Sequence, residues 1–189
     1  MEQLSNLIEA YKRNERKAQH ALYDLFFQPL MGIVRKYKNN NEDAAALVNE
    51  AFFKAFTQLD KYNTEVPFEY WIKRITINTV IDDFRKHKKI KEFEAKIDDL
   101  SLKSAGSISQ EVYNSAEKDL QAKDILKLIE GLDDHERIVF NLFEIEGMHH
   151  DEIAKYLMVS ERTSKRYLNQ ARETLKEQIT RLFSTSKIY

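Results

Sequence analysis

Apolar residues recur at helical spacing along most of the chain. In residues 20–38, HALYDLFFQPLMGIVRKYK, the side chains Leu22, Phe26, Leu30 and Ile33 fall on one stripe. This predicts a helix, with a kink where Pro29 removes a backbone donor. The run NNNED supplies turn and capping residues, and a second helix is predicted from about Ala44 to Leu59. Its buried stripe is Leu47, Ala51, Phe52, Ala55, Phe56 and Leu59, while Asn49, Glu50 and Lys54 point elsewhere. The polar connector DKYNTEVP then ends at Pro67.

Residues 68–86, FEYWIKRITINTVIDDFRK, carry two competing patterns. The β-branched, alternating ITINTVI favours a strand on propensity. Phe68, Trp71, Ile72, Ile75 and Thr79 nevertheless share a helical face, and no breaker interrupts the run, so a helix is predicted. From about Ile90 to Gln121 the periodicity fades into a Ser-rich polar stretch with Gly106 in the middle, which reads as a tether. Helical spacing returns over about 122–131, 133–145, 150–157 and 161–182. The predicted fold is all-α: two small helical domains, residues 1–91 and 122–189, joined by a flexible linker over 92–121.

Composition narrows the picture. Four glycines and two prolines in 189 residues leave few turns for a many-stranded protein. The absence of cysteine excludes disulfides, thiolate zinc sites and thiol catalysis. No apolar run approaches the ~18 residues of a membrane span, and the N-terminus lacks a secretion signal's apolar core, so a cytoplasmic protein without direct membrane insertion is expected. A net charge of −1 conceals two basic clusters: seven Lys/Arg against Asp82 and Asp83 in residues 71–91, and six against three Glu in residues 161–181. Residues 130–152, between them, hold eight acids and one Arg. Two such patches suggest two contacts with a polyanion, although solvated faces have the same composition.

The stretch EIAKYLMVSERTSKRYLNQARETL, residues 152–175, has the form of a helix-turn-helix. Ile153, Ala154 and Leu157 form the buried side of a first helix, and Leu168, Ala171 and Leu175 that of a second. Ser160 is placed to cap the second helix, and Glu161 suits its positive end. Arg162, Lys165, Arg166 and Asn169 lie exposed near its start, the residue types that reach base edges and phosphates in a major groove. Two ordinary surface helices with a basic side would look similar. Met158 stands where the turn usually has glycine, so either the backbone avoids positive φ or it accepts strain. Ser164 stands at a core-facing position, where a small polar residue forgoes ~1–2 kcal/mol of burial unless its hydroxyl bonds the preceding turn.

Taken together, the two halves resemble a known family. DAAALVNEAFFKAFTQLDKYNTEVPFEYWIKRITINTVIDDFRKHKK is similar to region 2 of bacterial sigma factors. EGLDDHERIVFNLFEIEGMHHDEIAKYLMVSERTSKRYLNQARETLKE is similar to their region 4. With both in order in so short a chain, the resemblance is to the extracytoplasmic-function (ECF) group. It implies a transcription initiation factor that binds core RNA polymerase, through the β′ clamp helices and the β flap, and recognises −10 and −35 promoter elements. Asp43, Asn49, Glu50 and Lys54 become the polymerase-facing candidates. Tyr62, Asn63 and Thr64 would wall a pocket for a −10 base, Asn78 matches a family asparagine that contacts the flipped base, and Arg74, Arg85 and Lys86 would hold phosphates. Trp71 is expected to be core rather than a base-stacking platform, and Ile77 departs from a basic residue common there. In region 4, Arg162, Thr163, Lys165, Arg166, Asn169, Gln170 and Arg172 are the −35 candidates. Arg172 suits a phosphate or a nearby acid, and Tyr167 and Ser164 depart from the family's arginine and valine. The tether resembles the family linker, whose acids (here Asp98, Asp99 and Glu111) could mimic phosphates along the RNA exit path. An anti-sigma factor is the further partner the resemblance implies.

No catalytic constellation competes. HHDE, residues 149–152, lacks the spacing of a zinc helix, and no glycine pattern permits a phosphate loop. No metal, no cofactor and no enzymatic activity are expected. The rivals are a helix-turn-helix regulator that acts without polymerase, which would bind duplex DNA tightly on its own, and an adaptor that has lost promoter recognition.

Overall fold

The computed structural model describes residues 2–13, 15–98 and 122–185. These residues are mainly helical, with no strand among them. Chain contacts divide the protein into two units, residues 1–82 and 83–189.

In the first unit, α1 (Glu2–Lys12), α2 (Arg16–Val34) and α3 (Asn41–Thr57) lead through a short 3-10 turn, Leu59–Lys61, to α4, Phe68–Asp98. Helix α1 is an element the pattern reading passed over, although Leu4, Leu7, Ile8 and Tyr11 have its spacing; Ile8 is buried. Helix α2 starts earlier than predicted and continues through Pro29, which sits on its exposed side. Asn40 caps α3 by accepting the Glu42 amide at 2.8 Å. The core joins Leu22, Leu30 and Val34 of α2, Val48, Ala51 and Phe52 of α3, and Phe68, Ile72, Thr76 and Val80 of α4.

Helix wins over strand in ITINTVI because Ile72, Thr76, Thr79 and Val80 are all buried, at spacings only a helix brings to one side. Each buried Ile or Val is worth ~1.5–3 kcal/mol, against a propensity difference of ~1 kcal/mol at most. The two threonine hydroxyls donate to the Ile72 and Ile75 carbonyls, both at 2.9 Å, which removes the cost of burying them. Helix α4 also runs on to Asp98, past the expected start of the tether at 92. Its last stretch, KIKEFEAKID, is rich in helix formers and free of breakers. The side chain of Asp98, and residues 99–121 with Asp99 and Glu111, lie outside the described residues.

Residues of the second unit beyond α4 form α5 (Ala122–Glu130), α6 (Asp134–Phe140), α7 (His150–Leu157) and α8 (Glu161–Thr185). Helix α8 is the spine on which α5, α6 and α7 pack. The single helix expected over 133–145 is instead α6 followed by a π turn, Asn141–Ile145, closed by the Glu146 amide donating to the Asn141 carbonyl at 3.0 Å. The buried Arg137 joins α5 to α6, donating to the Glu130 carbonyl at 2.8 Å and to Asp134 at 2.6 Å. Met158 closes α7 in the left-handed region, φ 53° and ψ 48°, so strain is accepted at this turn. Its geometry lets the Val159 amide reach the Ala154 carbonyl at 3.0 Å.

Candidate functional site

Helix α3 turns one side to the core and the other outward. Asp43 and Asn49 are exposed and Glu50 is half-buried. Asn49 accepts the Tyr23 hydroxyl at 2.9 Å, which fixes its amide at the rim of a groove of about 400 Å³. Tyr11, Tyr23, Phe52, Phe53 and Phe56 line that groove. Phe53, which was not among the residues singled out in the sequence, lies off the buried stripe, one turn after Asn49, and is 70% exposed. A large aromatic on an otherwise polar helix side was the available signal. Lys54 is less free than its candidate role suggested, being paired with both Glu50 and Asp82.

The loop before α4 is tied to itself. The Tyr62 hydroxyl donates to the Val66 carbonyl at 2.6 Å, while its ring packs edge-on against Phe68 and beside Trp71 at 5.1 Å. Burial raises the Tyr62 pKa, with nearby Lys12 opposing. Asn63 accepts the Glu65 amide at 2.9 Å and donates to the Glu65 carboxylate at 3.2 Å, an Asx turn that holds the loop closed. Thr64 is exposed at its tip. On α4, Arg74 is exposed and Asn78, one turn later, is half-buried, so the two share a side with a polar outlook. Ile77 faces the core, which accounts for an apolar residue there. Trp71 is half-buried in the aromatic cluster rather than fully enclosed. Arg85 and Lys86 follow the boundary at Asp82; within the second unit Arg85 donates to the Lys155 carbonyl at 3.3 Å, and Lys86 is exposed.

Helix α8 separates two kinds of residue sharply. Ser164, Leu168 and Ala171 are buried against the unit's core. Arg162, Lys165, Arg166, Asn169, Gln170 and Arg172 are all exposed. The start is fixed by Ser160, whose hydroxyl accepts the Thr163 amide at 3.0 Å and meets the Thr163 hydroxyl at 2.8 Å. Lys165 sits 3.6 Å from Glu161, and Arg172 makes a forked contact with one oxygen of Glu144 on the π turn. Tyr167 is a packing residue, stacked on His135 at 5.2 Å with the Arg166 guanidinium over its ring.

The buried Ser164 hydroxyl finds a partner outside its own helix. Its Oγ lies 2.9 Å from Nδ1 of His150, the first residue of α7, because the short loop brings that ring over the first turn of α8. Burial lowers the His150 pKa, as do Lys165 and Arg172, with Glu161 opposing them. No cluster of metal-binding side chains occurs among the described residues.

A family model for the ECF sigma factor matches residues 1–181. The chain belongs to the ECF sigma factor family. Similar proteins include the ECF sigma-E factor of Escherichia coli K12, 24% identical over 94% of this chain and 96% of that one. The SigW factor of Bacillus subtilis is 26% identical over 91% of this chain and 94% of that one. The fold is shared with the sigma factor RpoE of Bartonella quintana, solved in complex with the anti-sigma factor NepR: TM-score 0.50, 18% identity, 85% of this chain and 96% of that one. This sigma factor therefore acts in transcription initiation, binding core RNA polymerase and promoter DNA.

Proposed function

We propose that this sigma factor divides its work among three surfaces, within the scheme of residues 1–91 for region 2, 92–121 for the linker and 122–189 for region 4. The exposed side of α3, with Asp43, Asn49, Glu50 and the groove at Phe53, meets the polymerase clamp. The loop at Tyr62, Asn63 and Thr64, together with Arg74 and Asn78, receives a melted −10 strand, and Arg85 and Lys86 extend the phosphate path along α4. Tyr62 and Asn63 act by shaping the loop, since their polar groups already bond within it. The Asn78 amide can donate and accept at once, as discrimination of an unstacked base requires.

Helix α8 reads the −35 duplex. The observation that carries this reading is its divided surface: Arg162, Lys165, Arg166 and Asn169 stand exposed at i, i+3, i+4 and i+7, backed by buried Ser164 and Leu168. Gln170 and Arg172 continue the outer side toward phosphate, and Thr163 positions the first turn through its contact with Ser160.

The protein works in the cytoplasm and carries no chemistry of its own; the polymerase supplies nucleotidyl transfer. Among the described residues no helix is long and apolar enough to cross a membrane. An anti-sigma factor completes the set of partners, as it does for the Bartonella protein of the same fold.

The test uses polymerase carrying this protein and a labelled promoter fragment. Lys165→Ala and Arg166→Ala lower affinity for the duplex about tenfold, the value of one good base contact, and leave polymerase binding unchanged. Asn78→Ala keeps duplex affinity and slows strand opening, read by permanganate reactivity of unpaired thymines. Variants indistinguishable from the native protein in both assays would contradict the assignment.

A further inference from the structure

Between α7 and α8 a partly buried, directional contact accompanies the apolar packing. Helix α7, with Ile153, Ala154 and Leu157 buried, packs on α8, where Leu168 is buried, and the hydrophobic effect that drives such packing has no direction of its own. Ser164 is fully buried, and its Oγ lies 2.9 Å from His150 Nδ1. The imidazole is in turn stacked on Phe143 of the π turn, centroids 4.5 Å apart and planes 25° from parallel. Arg172 lies 5.8 Å from the same Phe143 ring and is held by Glu144, the next residue of the turn. His150 thus meets a ring on the π turn, which Arg172 of α8 holds, and a hydroxyl on α8 itself.

We propose that His150 and Ser164 form a positioning pair that fixes the first turn of α8 against α7, and so sets how Lys165 and Arg166 meet the −35 duplex. The inference rests on the −35 reading of α8 given above. Ser164 lies between Thr163 of the capped turn and Lys165 of the outer face, so a change in its depth moves both neighbours. A hydrogen bond tolerates a few tenths of an ångström, whereas an apolar contact tolerates sliding. The pair therefore confers orientation that apolar packing alone cannot. It also explains why a small polar residue occupies a fully buried position in this helix: its partner is supplied by the other helix. Neither residue touches DNA in this arrangement; each acts through the backbone that carries the basic side chains.

The experiment measures binding of a labelled duplex promoter fragment, found by mapping the protein's own transcripts, to core polymerase carrying the full-length chain. Ser164→Ala removes only the hydroxyl and installs a stronger helix former, so its effect is not a failure to fold. His150→Leu removes the ring nitrogen. Each is expected to weaken specific binding about tenfold, and the double variant by no more than either alone, because both break one bond. His150→Asn places an amide near the position of Nδ1 and is expected to stay within about twofold of the native protein, a rescue that a merely space-filling role would not produce. Separate, multiplying losses would overturn the pairing, as would failure of His150→Asn to restore binding. Native affinity in Ser164→Ala and His150→Leu, when Lys165→Ala is impaired, would overturn the pair and leave the −35 reading standing. Native affinity in Lys165→Ala as well would bring down that reading and the proposal with it.

Discussion

The Lys54 ammonium bridges two carboxylates, Glu50 on its own helix at 3.0 Å and Asp82 on α4 at 3.3 Å. It fastens the outward-facing helix of the first unit to the helix that carries Asn78. Burial by itself would lower the Lys54 pKa, but the hydrogen bonds to Glu50 and Asp82 outweigh it and the pKa is raised. The raised pKa means that this contribution to stability is fully present below the ordinary lysine value and is lost as pH rises through the folded-state value. Lys54→Met is expected to cost about 0.5–1 kcal/mol at neutral pH, the modest figure for a pair still reached by water. Thermal melts of native and variant protein check this, and the two curves should converge in strongly alkaline buffer.

Phe53 makes a sharper prediction about the polymerase surface. Because the ring is 70% exposed, Phe53→Ala should leave the melting temperature within about a degree of the native value. Affinity for core polymerase should fall by about 10–100-fold, as expected for an aromatic anchor at an interface. Competition against a labelled native sigma measures it. A folded variant that binds polymerase normally would remove Phe53 from the contact.

Met158 holds a left-handed backbone, φ 53°, with a side chain that is 65% exposed and so gains little from packing. Met158→Gly relieves the clash between Cβ and the carbonyl and is expected to stabilise the second unit by about 1 kcal/mol, less what glycine loses in unfolded-state entropy. Calorimetry should show that unit's transition move up by a few degrees while promoter binding stays unchanged.

His150 gives the second unit an acid-sensitive stability. Burial, Lys165 and Arg172 lower its folded-state pKa. The unfolded chain therefore takes up a proton first as pH falls, and stability declines from the ordinary histidine pKa down through the folded value. His150→Asn removes that component. The melting temperatures of native protein and variant should differ differently at pH 7.5 and pH 5, with the native protein losing more on acidification.

How far the sequence led depended on how local each cause was. The helix through ITINTVI was legible because Phe68, Ile72 and Thr79 set a period that outweighs β propensity over a long unbroken run. The Ser160 cap was legible because its target amide is three residues away. Helix α1 was available in Leu4, Leu7, Ile8 and Tyr11 but was short and flanked by charge. The partner of Ser164 was not legible: His150 is 14 residues distant, and the bond exists only because the α7–α8 turn folds back. The π turn was hidden for a similar reason, since NLFEI keeps the apolar spacing of an ordinary helix while Phe143 and Glu144 are redirected to His150 and Arg172. In the first unit, Asn63 and Tyr62 were identified as loop residues, but not that their polar groups are spent on closing the loop.

Transcription in vitro tests the central claim most directly. Core RNA polymerase is mixed with this protein and a pool of genomic fragments, and transcript starts are mapped by sequencing. The account predicts discrete starts that require the protein, share two upstream elements, and are weakened by Asn78→Ala and by Lys165→Ala through different elements. Starts that do not depend on the protein, together with tight sequence-specific binding of duplex DNA by the protein alone, would contradict it.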